Sequence, residues 1–180
     1  MKKPLILLVI TFIAFSTFGQ SAKKEIPVFS TYHKNIYVEL LGSSIGAGLH
    51  FDMRLNKGRM DGIGFRAGIG GINIAASDEN NVAKVGLITF PIEFNHLIGK
   101  RRSSFITGVG LLPAYASASI QGDRNAKGKG FGLAGGFLDI GYRFQPKKTG
   151  FMFQINWNPL INSSGLSAGW FGIGLGMGFK

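Results

Sequence analysis

The chain has 180 residues, enough for one domain, with 28 glycines, no cysteine and a formal net charge of +11. The missing cysteine excludes disulfides, thiolate metal sites, a cysteine nucleophile and a lipid-modified N-terminal cysteine. The glycines follow no triplet repeat and large apolar residues lie between them, which excludes collagen and a disordered linker; the basic balance first suggests an anionic partner, either nucleic acid or a phosphate-bearing lipid surface.

The first segment has the layout of an export signal. Lys2 and Lys3 precede the apolar run Leu5 to Phe15, and Ser16, Thr17 and Gly19 supply small residues before Gln20. A membrane anchor is the alternative, but the run falls short of the roughly 20 apolar residues a spanning helix needs. Residues 1–19 are therefore expected to be a signal peptide, with Ala22–Lys23 as the alternative cleavage point, and residues 20–34 a short polar stub. Export argues against a nucleic-acid partner. Beyond the signal no apolar stretch reaches helical spanning length, which argues against a helical inner-membrane bundle.

From residue 35 to 180 the dominant pattern is alternation with a period of two, the mark of strands whose faces meet different surroundings. Ile36 to Leu41 is strand-like without a clean phase. Ile45, Ala47, Leu49, Phe51, Met53 and Leu55 then oppose Gly46, Gly48, His50, Asp52 and Arg54. Ile63, Phe65, Ala67 and Ile69 oppose Gly64, Arg66, Gly68 and Gly70; Ile88, Phe90, Ile92 and Phe94 oppose Thr89, Glu93 and Asn95. Phe105 to Tyr115 again has a mixed phase. Leu138, Ile140, Tyr142 and Phe144 oppose Asp139, Gly141 and Arg143, and Phe151, Phe153, Ile155 and Trp157 oppose Met152, Gln154, Asn156 and Asn158. The last strand sets Phe171, Ile173, Leu175, Met177 and Phe179 against four glycines.

Short connections fall at Gly42–Ser44, Asn56–Gly62, Gly99–Ser104 and Gln145–Gly150. Longer, more polar ones fall at Ala75–Lys84, Gln121–Gly130 and Pro159–Gly169. From the second connection onward short and long alternate, as in an up-and-down barrel with tight periplasmic turns and longer outer loops. The predicted fold is all-β: an antiparallel transmembrane β-barrel of about eight strands, each near the roughly 9–11 residues that a tilted membrane strand requires.

Side-chain size chooses the orientation. A ring of about eight strands has a narrow interior, which suits glycines and a few charged groups better than Phe, Ile, Leu, Met and Trp. The apolar faces are thus assigned to lipid. Phe105, Tyr142, Phe144, Phe151 and Phe179 beside the short turns, with Trp157 and Trp170 at the opposite end, are placed as two aromatic girdles. Lys57, Arg59, Lys100, Arg101, Arg102, Lys147 and Lys148 gather in the short turns, where each could meet an anionic headgroup for about 1 kcal/mol; the plainer reading is soluble turn charge.

Ile36-Tyr37-Val38-Glu39-Leu40-Leu41-Gly42, then Ile45 to Leu55, then Gly62 to Gly68 resemble the opening of the small, OmpA-like or porin-like outer-membrane β-barrel proteins common in Bacteroidetes-type bacteria. Phe90-Pro91-Ile92-Glu93 and His96-Leu97-Ile98-Gly99-Lys100 are similar to that family's central strand and turn. The resemblance covers most of the chain after the signal. It implies the bacterial outer membrane as location, with its lipids and the insertion machinery as partners, more than any activity. One departure is that Lys180 follows Phe179, whereas many such barrels end in an aromatic residue.

Six charged residues fall on inward faces: Asp52, Arg54, Arg66, Glu93, Asp139 and Arg143, with Glu39 as a further candidate. Charges inside a narrow barrel must pair, so a lumen ion-pair network is expected, plugging the interior and pinning strand register; a gated ion path is the alternative. His33, His50 and His96 have no metal-ligand spacing. Ser44, Ser103, Ser117 and Ser163 are available for a serine–histidine pair with His50 as base, as in a lipid-modifying membrane enzyme, but no motif ties one to it. Gly130–Gly135 matches a dinucleotide fingerprint in the wrong context, without a helix after it. Asn162-Ser163-Ser164 matches a glycosylation acceptor that assumes a eukaryotic route. The expectation is no catalysis, no cofactor and a structural or surface-interaction role carried by the long loops, especially Ser77–Asn81 and Asp123–Lys129. The competing reading is a soluble, lipocalin-like barrel holding an apolar ligand.

Overall fold

Alternating strands with unpaired edges are stable only when every backbone donor finds a neighbour, and closure of the sheet achieves this. The computed structural model describes residues 32–78, 81–99, 102–121 and 127–180. The expected signal peptide and most of the polar stub lie outside these residues. The strands are β1 (Lys34–Leu41), β2 (Ala47–Arg54), β3 (Gly62–Asp78), β4 (Asn81–Thr89), β5 (Ile92–Ile98), β6 (Ser103–Gln121), β7 (Lys127–Phe144), β8 (Gly150–Trp157), β9 (Leu160–Asn162), β10 (Gly165–Ser167) and β11 (Phe171–Phe179). All pairings are antiparallel, and β1 pairs with both β2 and β11, closing the ring. β4 and β5 form one stave bent at Phe90-Pro91, and β9 and β10 form a small hairpin beyond β8. The result is an eight-stave barrel.

Pro91 has no N–H to give the ladder, yet the bend stays tied to both neighbours. Its carbonyl accepts from the Gly68 amide at 2.9 Å, and the Phe90 amide donates to Pro113 at 2.8 Å. The β1–β2 connection is a single 3-10 turn, Gly42–Ser44, flanked by Leu41 (φ 62°) and Ile45 (φ 53°). Two non-glycine residues in the left-handed region cost on the order of 1–3 kcal/mol each. Hydrogen bonds inside the barrel mouth offset this: the Ser43 amide and hydroxyl both donate to Glu39, and Thr89 donates to the Ser44 carbonyl at 2.8 Å.

The faces are assigned without ambiguity. Phe94, Phe51 and Ile173 are exposed on the outside, whereas Arg54, Arg66 and Arg143 have no exposed surface. Apolar out and charged in is the reverse of a soluble barrel that stores an apolar ligand. The two segments with mixed phase are explained here too. Tyr37 in β1 and Ile106 in β6 are an aromatic and an apolar residue packed in the lumen, so their strands lack a clean apolar–polar contrast. Trp170 departs from the expected outer girdle: it turns inward at the mouth, against the cluster of Leu112, Phe137 and Leu160.

The glycines of β11 answer to the narrow interior. A Cβ at Gly176 would lie 2.1 Å from the Ile36 carbonyl oxygen and 2.4 Å from the Tyr37 Cβ. Gly176→Ala is expected to destabilise the barrel by about 1–3 kcal/mol, the cost of overpacking, read as a lower urea midpoint for the vesicle-inserted protein; an unchanged midpoint would refute the crowding argument.

One expectation is corrected. In the stretches Ala75–Lys84 and Gln121–Gly130, expected as polar loops, the described residues are strand: β3 runs to Asp78, β4 starts at Asn81, and β6 and β7 continue to Gln121 and from Lys127. The 19 residues of β6, at about 3.4 Å per residue, far exceed a membrane crossing. Polar composition marks water exposure, and here the wet segments still pair with each other as strands.

Candidate functional site

The lumen brings the six sequence-predicted residues together in two clusters. Asp52, on β2, is the hub of the first. Arg143 from β7 clasps its carboxylate with two donors, Nη1 to Oδ1 at 2.8 Å and Nη2 to Oδ2 at 3.2 Å. Arg54 Nη2 donates to the same two oxygens at 2.8 and 2.7 Å, and Nη1 donates to the Gly62 carbonyl at 3.0 Å. Asn95 donates to Asp52 at 3.0 Å and accepts from Arg54. In the second cluster Arg66 lies 2.7 Å from Glu93 and 2.9 Å from Asp139. Its Cζ sits 5.6 Å from the Tyr37 ring centroid. Charge and ring contacts therefore hold Arg66 more than aligned hydrogen bonds do.

Glu39, the further candidate, also faces the lumen but meets no guanidinium. It accepts from Ser43, Gln154 and Asn156. Sequence reading passed over these polar partners, together with Tyr37 and Ser104. Tyr37 has the parity of Glu39 on β1, and Gln154 and Asn156 alternate with Phe153 and Ile155 on β8, which is the signal that places them on the inward face. Four carboxylates and three guanidinium groups are buried among the described residues, so the lumen is rich in charge yet occupied by its own side chains. At the turn end His33 is buried, with Nε2 2.9 Å from the Pro146 carbonyl oxygen; burial pushes the imidazole below its usual pKa.

Ser44 and His50 do meet, Oγ to Nε2 at 2.9 Å. The arrangement differs from a catalytic triad. Glu39 lies 3.4 Å from the same Nε2, while Nδ1, the atom an orienting carboxylate would hold, has no hydrogen-bond partner. His50 instead stacks on Tyr37, with ring centroids 5.1 Å apart. Ser44, His50 and Glu39 are all buried. The other named serines are engaged elsewhere: Ser103 with the Tyr142 hydroxyl and Ser117 with the Gly86 carbonyl, while Ser163 lies in the β9–β10 connection. Among the described residues no three metal-ligating side chains gather, and Gly130–Gly135 lies within β7.

Beyond the barrel rim the upper parts of β3, β4, β6 and β7 continue as a four-stranded sheet, and the polarity of its faces reverses. Registered rows show this directly. Continuing the lipid-facing side, Ile88, Tyr115 and Phe131 form one row, and Phe90 stands 6.2 Å from Phe131 between ring centroids. The next row outward is Asn73, Gly86, Ser117 and Lys129, and beyond it Lys84 pairs with Ser119. On the side that continues the lumen wall, Ile72, Leu87, Ala116 and Gly130 share a row, as do Ile74, Val85, Ala118 and Gly128. So the water-level part has a polar outer face and an apolar inner one. β3 has no described β2 partner beyond Gly71, and β7 has no described β8 or β9 partner before Gly136, which leaves two open edges.

No family model matches the chain, and no curated protein is similar to it. Among solved structures, that of Neisserial surface protein A matches 82% of this chain and 92% of its own, at 12% identity and a TM-score of 0.41. At that identity no function passes from one protein to the other.

Proposed function

We propose that this chain is a small outer-membrane β-barrel protein with a sealed lumen and a structural or surface-interaction role, without catalysis. The carrying observation is the distribution of polarity: apolar residues cover the outside of the ring, while paired charges fill its inside from Asp52 to Asp139. Lipid is the environment such an outer surface favours, and the buried ion pairs inside the ring are the groups that would seal it. The upper sheet, standing clear of the apolar belt with two open edges and an uncovered apolar face, is the part available to a partner. The lipid-modifying alternative finds no support at Ser44 and His50, because both sit inside the barrel and share the wrong imidazole nitrogen with Glu39.

Purified protein in a planar bilayer is expected to give no stable conductance steps above leak, and an Asp52→Ala, Arg66→Ala double variant that stays folded is expected to give measurable ones. A large steady pore in the unaltered protein would overturn the sealed-lumen reading.

A further inference from the structure

The end of the barrel that carries the tight turns is charged very unevenly. Lys57 and Arg59 lie between β2 and β3, Arg102 between β5 and β6, and Lys147 and Lys148 between β7 and β8; all five are exposed. Against them stands a single described acid in these turns, Asp61, already hydrogen-bonded to Arg59 through both oxygens at 2.9 Å. Those bonds hold the Asp61 carboxyl below the usual carboxylate range, so this pair is self-neutralised and four cations remain unbalanced around the rim. Lys57 is held near the barrel by the Tyr32 ring, 5.9 Å from its ammonium. Immediately beneath this rim the outward residues are Phe105, Tyr142 and Phe151, all exposed, and Tyr142 shares a hydrogen bond with Ser103 at 2.8 Å. Aromatic side chains with a polar tip sit at headgroup level in a bilayer. The cations therefore stand at the depth of the phosphates, spread around the circumference on three separate turns.

Resting on the membrane-barrel reading above, we infer that this basic collar binds anionic phospholipid headgroups of the leaflet that meets the turn end. A folded soluble partner would need a continuous patch with a buried centre, whereas these exposed cations sit on three separate turns at the end of an apolar belt. That geometry fits individual lipids arranged around the wall. Each cation near an anionic surface is worth a roughly fivefold preference at low salt, so four act together as a strong local filter, and screening should weaken them as salt rises.

The test uses the full protein in nanodiscs of phosphatidylethanolamine with one-fifth phosphatidylglycerol. Lipids retained after extraction into mild detergent are counted by native mass spectrometry. Retained phosphatidylglycerol should exceed its bulk share several-fold at 50 mM salt and fall towards that share at 1 M. A variant with Lys57, Arg102, Lys147 and Lys148 changed to Gln, checked for folding by heat-shifted gel mobility, should lose the excess. An excess that is equal in the variant, or indifferent to salt in the unaltered protein, would overturn the inference. So would the absence of any excess; the salt series on the unaltered chain decides the matter even if the variant does not fold.

Discussion

Asp52→Ala is expected to destabilise the inserted barrel by about 3–5 kcal/mol, the cost of removing one partner from a buried ion pair. Asp52 is the sole carboxylate within ion-pair distance of both Arg54 and Arg143 among the described contacts. Without it, two buried guanidinium groups are left with no carboxylate within ion-pair distance. The cost comes from those stranded charges rather than from the worth of the intact cluster. A triple variant, Asp52→Leu with Arg54→Met and Arg143→Met, should therefore recover much of the loss, because replacing a whole buried ion cluster by apolar groups is often neutral. Urea unfolding in vesicles, followed by the fluorescence of Trp157 and Trp170, measures both. A single variant that loses less than about 1 kcal/mol, the range of exposed pairs, would mean the lumen is wet and the pairs are screened.

The second large effect contrasts two apolar residues on opposite sides of the membrane boundary. Phe94 is 59% exposed on the outside of β5, registered with Phe65 and Val109 near the middle of the barrel wall. An arginine there would lie in hydrocarbon, and Phe94→Arg is expected to cost about 2–4 kcal/mol. Ile74 is 55% exposed on the upper sheet, which stands in water, so Ile74→Arg should stay within about 0.5 kcal/mol, as for an ordinary surface change. Both are large apolar residues more than half exposed; Phe94 lies on the outward face of the wall, and Ile74 on the inward-continuing face of the sheet beyond the rim. Equal costs in the same vesicles would remove the boundary from between the two rows of the sheet.

That boundary was only half legible beforehand. The period-two pattern put Phe51, Phe94 and Ile173 on one face and Asp52, Glu93 and Arg143 on the other, and glycine in β11 signalled a narrow interior. Each of these depends on the alternating geometry of a single strand, which a sequence states outright. The upper sheet was misread because Asn73, Ser77, Lys84 and Lys129 signal contact with water, and water is as compatible with a paired strand as with a loop.

What the sequence determined alone is therefore the face on which residues of the cleanly alternating strands lie, the approximate number of staves and the set of charges obliged to share the interior. Tertiary structure decided the partners. Asp52 and Arg143 are 91 positions apart and meet because ring closure sets β2 and β7 within reach of one another across the lumen. Strand parity is a local property of one backbone, whereas reach across a barrel depends on the stagger of all eight staves at once. The same closure brings Gln154 and Asn156 to Glu39, and the tops of β3 and β7 each keep one described strand neighbour, β4 and β6, because β2 and β8 end lower on the wall.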